Sequence, residues 1–310
     1  MTTAGSGGPA FTRQCGKVFQ ETRMTRFRTV VFFFCCLAAL TYGHGFAASA
    51  EDEGAVTWQM LEPGLELGRA LVTPVPALAG ETVPAVQVTF LRIDPARYAF
   101  SLHMASEKGN KSLTELGRSE NLTAAINAGM YLPDRLTSTG YLRSGTHTNN
   151  AHIANSFNAF FVAEPMSRPK SSLPFAQLLD KTRHDWDTAL TSYDLVMQNY
   201  RMNTLEGRVI WKQAERLHSI AALSQDASQR VYFILCPTPV QAADFVAALL
   251  RLPLELGTIM YLEGGSEAAL LIRAGGQETV EAGRHPSGLW SGDGGLMLPN
   301  VLGVRPRASQ

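Results

Sequence analysis

Residues 230–266 constrain the fold more than any other stretch of this chain. The apolar run Val231-Tyr-Phe-Ile-Leu-Cys236 reads as a buried strand. A helix signal follows: Thr238 fits the N-cap, Pro239 the first helical position and Gln241 the third, a capping-box pattern with proline at its preferred site. Ala242, Phe245, Val246, Leu249 and Leu250 share one helical face, and Pro253 stops the helix. A second strand, Ile259–Leu262, ends in Glu263-Gly-Gly-Ser266. Strand, helix and strand in this order predict a right-handed crossover between two parallel strands.

Elsewhere the pattern predicts hairpins. Val86, Val88, Phe90 and Arg92 alternate along a strand over 86–93, Asp94-Pro95 marks a turn, and 98–104 returns as its partner. Residues 112–117 read as a short helix, 122–127 as a buried strand and 159–163 as another. Short strands are expected at 195–198 and 209–211, and paired strands at 219–223 and 230–236. Residues 132–156 are polar and 166–192 irregular; long polar connections such as the first are commonly functional or disordered. The expected class is α+β (mixed α/β): a single domain on a mixed, largely antiparallel sheet with packed helices.

The ends bound the domain. Arg26 and Arg28 precede the apolar run 30–40, and Ala48-Ser49-Ala50 follows it. The run is shorter than the ~20 residues of a membrane span. Basic, apolar and small-residue regions in that order predict a secretory signal peptide, with Met24 as its start and cleavage near Ala48 or Ala50. A retained N-terminal anchor is the alternative. The expected organisation is 1–50 as upstream extension and signal, 51–85 as an N-terminal arm and 86–305 as the functional domain, in the periplasm or secreted. Residues 51–310 carry 22 Lys+Arg against 26 Asp+Glu, with no basic excess for nucleic acid. They keep one cysteine, Cys236, and so no internal disulfide.

The Glu263-Gly264-Gly265-Ser266 segment joins a carboxylate, a tight turn with free amides and a hydroxyl, a combination suited to a polar ligand. Four stretches together resemble the phosphodiester glycosidase family: Ile126-Asn-Ala-Gly-Met-Tyr131, Val196-Met-Gln198, the segment 219–233, and Tyr261-Leu-Glu-Gly-Gly-Ser266. The tail Leu298-Pro-Asn-Val-Leu-Gly-Val304 is similar to how many bacterial members end. Glu263 stands where the family usually has aspartate, and Asn199-Tyr200-Arg201 where it has Gly-Pro.

The resemblance implies hydrolysis of a sugar 1-phosphodiester. Glu263 is then the key carboxylate and His218 a proton donor or hydrogen-bonding group. Arg201 is a phosphate clamp through its planar fork. Asn127, Gly129, Gln198, Asn199, Gly264, Gly265 and Ser266 are expected to hold the substrate. Asp226 falls in the hairpin turn of 219–236, and Glu267 is expected to face solvent. No metal or cofactor is expected, because His147 and His152 lack helical spacing and a third ligand. The expected partner is a sugar-phosphodiester or glycan. The alternative is a periplasmic glycan- or phosphoglycan-binding protein without catalysis.

Overall fold

The computed structural model describes residues 54–73, 84–166, 172–212, 216–284 and 297–308. The expected signal segment lies outside them. Strands β1 (Val56–Glu62), β2 (Leu65–Val72), β3 (Val86–Ile93) and β4 (Tyr98–Met104) come first. Helices α1 (Ala105–Lys108) and α2 (Leu113–Ser119) precede β5 (Ala124–Asn127), β6 (Leu142–Ser144), β7 (His147–Asn150), β8 (Ala159–Pro165) and β9 (Ala176–Asp180). Then come α3 (Trp186–Ser192), β10 (Tyr193–Asn199), β11 (His218–Asp226), β12 (Val231–Val240), α4 (Ala242–Arg251) and β13 (Leu256–Gly264). Strands β14 (Ala269–Ile272), β15 (Thr279–Ala282) and β16 (Asn300–Pro306) complete the described chain.

The strands form three antiparallel sheets: β1-β2-β3-β12-β11-β13, β7-β6-β10-β8-β9, and β15-β14-β5-β16-β4. This overturns the expected α+β domain with packed helices on one mixed sheet. Of the described residues 49% are strand and 14% helix, and the four α-helices among them are short. One face of every sheet meets in a common interior, where Leu91, Phe233 and Leu262 pack with Phe100, Ile126 and Leu302 and with Phe161, Leu195 and Met197. On the outer faces, Phe245, Val246 and Leu249 of α4 cover the first sheet. Trp186 and Ala189 of α3 pack on the second, and Leu113 and Leu116 of α2 on the third. Strands buried on both faces explain the continuous apolar runs.

Five local expectations are corrected. Strands β3 and β4 do not pair: β3 lies between β2 and β12, while β4 pairs with β16 in another sheet. The Asp94 turn is therefore a corner between sheets, and its carbonyl accepts from the N–H groups of Arg97 and Tyr98. Strands β12 and β13 run in the same direction but are not neighbours, because β11 lies between them and pairs antiparallel with both. Strand β12 continues through Thr238 and Pro239 to Val240, which pairs with His218, so Gln241 takes the N-cap position of α4. Residues 166–192, expected to be irregular, contain β9 and α3, while 209–211 contributes only an isolated bridge between Asn203 and Val209. Ser112 does cap α2 in a reciprocal capping box with Glu115.

Candidate functional site

The candidate site is built where β13 leaves the first sheet and the chain crosses to β14 of the third. Strand β13 is an edge strand, and residues 199–203 lie along its free side: Asn199 Nδ2 donates to Leu262 O at 3.2 Å, and the N–H of Tyr261 to Tyr200 O at 2.9 Å. On the other side the register with β11 slips. Tyr261 pairs with Ala222 but Glu263 pairs with Ala221, which makes Leu262 the extra residue of a bulge. Ala222 belongs to the outer cluster under α4 and Ala221 to the common interior. The bulge thus turns Glu263 onto the interior side, toward the ends of β5 and β10; without it Glu263 would follow Tyr261 outward.

Beyond Glu263 the chain makes a single 3-10 turn over Gly265–Glu267, with Gly265 at φ +68°. That turn brings a second carboxylate, Glu267, back toward the strand end. Glu263 Oε1 accepts from the N–H of Gly264 at 3.0 Å. Glu267 accepts from Ser266 Oγ at 2.9 Å and from the Tyr131 hydroxyl at 3.5 Å. Burial pushes the Glu263 carboxyl up to about 7; the Gly264 amide opposes this, and the nearby negative charge of Glu267 adds to it. The phenols of Tyr131 and Tyr261 are raised by burial and then by these same two glutamates, so both remain neutral hydrogen-bond donors at physiological pH.

Strand β5 delivers Asn127, whose Oδ1 accepts from the N–H of Ala269 at 3.3 Å while its buried Nδ2 has no partner. Such an orphan donor is unusual in a folded interior and marks a place where a ligand or water completes the bonding. Gly129 adopts φ +104°, and a Cβ there would lie 2.8 Å from Asn199 Nδ2. Only glycine lets the β5 loop close against Asn199. His218 opens β11, and its Cβ is 3.4 Å from where a Gly264 side chain would begin. Asn127, Gly129, Asn199, His218, Gly264, Gly265, Ser266 and Glu263 are thus linked around one turn.

Two expected substrate residues have partners within the fold. Gln198 is buried and fully engaged: its Oε1 accepts from the N–H groups of Tyr141 and Ala154, and its Nε2 donates to the carbonyls of Ala154 and Phe157. It pins the polar 140–157 loop. Arg201 donates through Nη1 to Asp180 and Thr182, leaving its buried Nε without a partner. Asp226 is local too, accepting from Arg230 and from the Tyr232 hydroxyl. His147 bonds Ser106, and the described residues contain no group of three side chains able to hold a metal.

Sequence reasoning missed Glu267, Tyr131 and Tyr261 as site residues. The signal for Glu267 is its place four residues after Glu263 across two glycines, a spacing that a single tight turn folds back on itself.

No protein-family model and no curated protein sequence matches the chain. Solved structures do resemble it in fold. A hypothetical protein from Synechocystis aligns with a TM-score of 0.54 at 14% identity, over 83% of this chain and 64% of that one. The catalytic domain of zebrafish N-acetylglucosamine-1-phosphodiester alpha-N-acetylglucosaminidase, auto-inhibited by its pro-peptide, aligns with a TM-score of 0.55 at 10% identity, over 82% of this chain and 88% of that one. The likeness is one of fold.

Proposed function

We propose that this chain hydrolyses a sugar 1-phosphodiester at the Gly264–Ser266 turn, with Glu263 as the essential carboxyl group. One observation carries the reading: Glu263 and Glu267 flank a glycine turn, and burial places the carboxyl of Glu263 near neutrality. Catalytic carboxyl groups are tuned in this way, by desolvation and by a second acid nearby. The fold shared with the zebrafish glycosidase domain supports a sugar-phosphodiester substrate.

The chemistry divides simply. As the bond between C1 and oxygen stretches, the electron pair leaves with a phosphate that is a stable anion, so little proton donation is needed. The demand is for negative charge beside C1, and ionised Glu263 supplies it, either by activating water or by stabilising the cationic carbon. Glu267, oriented by Ser266 and Tyr131, adds to that field. Asn127, Asn199, Ser266 and the two tyrosines offer neutral contacts for sugar hydroxyls. The amides of the glycine turn and His218 serve the phosphate. The signal-like segment before residue 51 supports action on an envelope glycan in the periplasm or outside the cell.

Release of free sugar from a hexosamine-1-phosphodiester by the purified protein tests this. The rate should rise with pH and level off above about 7 as Glu263 ionises, and Glu263→Gln should lower it by about 10²–10⁴-fold. An unchanged rate in that variant removes Glu263 from the chemistry. The second reading is a phosphoglycan-binding protein without turnover. The engagement of Arg201 Nη1 by Asp180 favours it, because part of the clamp is already occupied. Salt-sensitive binding with no product would select that reading.

A further inference from the structure

Beside the glycine turn, on the opposite face of β13 from Glu263, lies a contiguous row of aromatic rings. Tyr261 and Trp211 have ring centroids 5.0 Å apart, and Trp211 and Tyr200 5.9 Å apart. Phe157 backs Tyr200 at 4.2 Å. The first three are half-buried and only Phe157 is buried, so the row keeps open surface along its length. It is also rigidly held: the indole N–H of Trp211 donates to Arg201 O at 3.0 Å, and the backbone of Tyr261 is tied to that of Tyr200.

The row runs into the candidate site. A Cβ on Gly264 would lie 2.5 Å from the Tyr261 hydroxyl, so that hydroxyl rests directly on the turn. Among the described residues nothing accepts the proton of that hydroxyl. The two glycines leave the turn without side chains, with the Tyr261 hydroxyl against Gly264 and the Glu267 carboxylate near Gly265. A saccharide chain lying across the turn would place one ring at Glu263 and the next on Tyr261 and Trp211. Pyranose faces carry weakly positive C–H groups that pack on the negative face of an aromatic ring, while the ring edges keep their hydroxyls in water.

We propose that Tyr261, Trp211 and Tyr200 form an aromatic subsite for a second sugar ring, so that the ligand is an oligosaccharide rather than a single sugar. This rests on reading the glycine turn as a carbohydrate site, but not on catalysis there. The test is a set of binding titrations on the full chain with disaccharide and monosaccharide pairs: diacetylchitobiose with N-acetylglucosamine, cellobiose and maltose with glucose, and mannobiose with mannose. At least one disaccharide should bind about tenfold tighter than its monosaccharide, and Trp211→Ala should abolish that difference while leaving monosaccharide affinity unchanged. Trp211→Phe, which keeps a ring, should retain most of the difference and guards against a folding defect in the alanine variant. A Trp211-dependent preference without turnover of any phosphodiester would sink the hydrolase reading and keep the subsite. No preference for any disaccharide, or equal losses for both sugars in Trp211→Ala, would overturn the subsite.

Discussion

Gln198 and Glu263 look alike in the sequence: each is a polar residue at the end of an apolar strand. The structure separates them by their partners. Gln198 makes four hydrogen bonds, all to backbone groups of the 140–157 loop, and has no capacity left. Glu263 accepts one bond, from the next residue in the chain, and sits in surroundings that resist its charge. A polar side chain whose bonding is complete within the fold stabilises the fold. One that is buried with bonding left over is held at a cost that a ligand or a reaction recovers. By this accounting Gln198 belongs to the scaffold, and Asn127, with its orphaned Nδ2, belongs with Glu263.

The largest effect that sharpens this contrast is at Gln198. Gln198→Ala strands the N–H groups of Tyr141 and Ala154 and the Phe157 carbonyl, and should lower unfolding free energy by about 3–5 kcal/mol. Urea denaturation reads this directly. A loss below about 1 kcal/mol with a large rise in KM would instead return Gln198 to the substrate.

How much of this was legible beforehand depended on range. Strand β3 occupies the residues its alternation marked, and β11 pairs with β12 as their adjacency suggested, because both signals are local. The partnership of β4 was not legible. Nothing near Asp94 distinguishes a hairpin turn from a corner between sheets; the choice is made by β16, about two hundred residues away. The α+β expectation failed for a related reason. The best helix signal, at α4, marks one of three outer covers, and the interior it helps to enclose is assembled from three sheets. At the site, the glycine turn and Glu263 announced themselves, but the bulge at Leu262 that aims Glu263 exists only in the pairing with β11.

Arg201 tests the middle of the comparison, since its Nη1 is paired within the fold while its buried Nε has no partner. Asp180 is almost fully buried, and burial alone would raise its carboxyl; hydrogen bonds from Thr182 and the Arg201 guanidinium bring it below the usual range instead. Arg201→Met leaves that carboxylate unpaired and should cost about 3 kcal/mol of stability at neutral pH. Because the depressed Asp180 carboxyl favours the fold in its ionised form, the deficit relative to the parent should shrink as pH falls through the Asp180 titration. Thermal melts from acid to neutral pH check this. A stability loss that does not depend on pH would mean that packing, rather than the ion pair, sets the value of Arg201.

The smallest effect has the opposite sign and distinguishes Glu263 most sharply from the scaffold residues. Its folded pKa, about 7, lies above the usual glutamate value of 4.5. The folded state therefore favours the protonated form. Stability is full below the unfolded value and declines as pH rises toward 7, where the buried carboxyl must ionise. Above that point the penalty is fixed at no more than about 3 kcal/mol, set by the gap between 4.5 and about 7 at about 1.36 kcal/mol per pH unit. Glu263→Gln cannot ionise, so it should match the parent near pH 4 and exceed it by about 2 kcal/mol at pH 8, while losing turnover. Paired denaturation curves at the two pH values measure the difference. If the glutamine variant is instead the less stable at pH 8, the Glu263 carboxylate is fully provided for by the protein and belongs, like Gln198, to the framework.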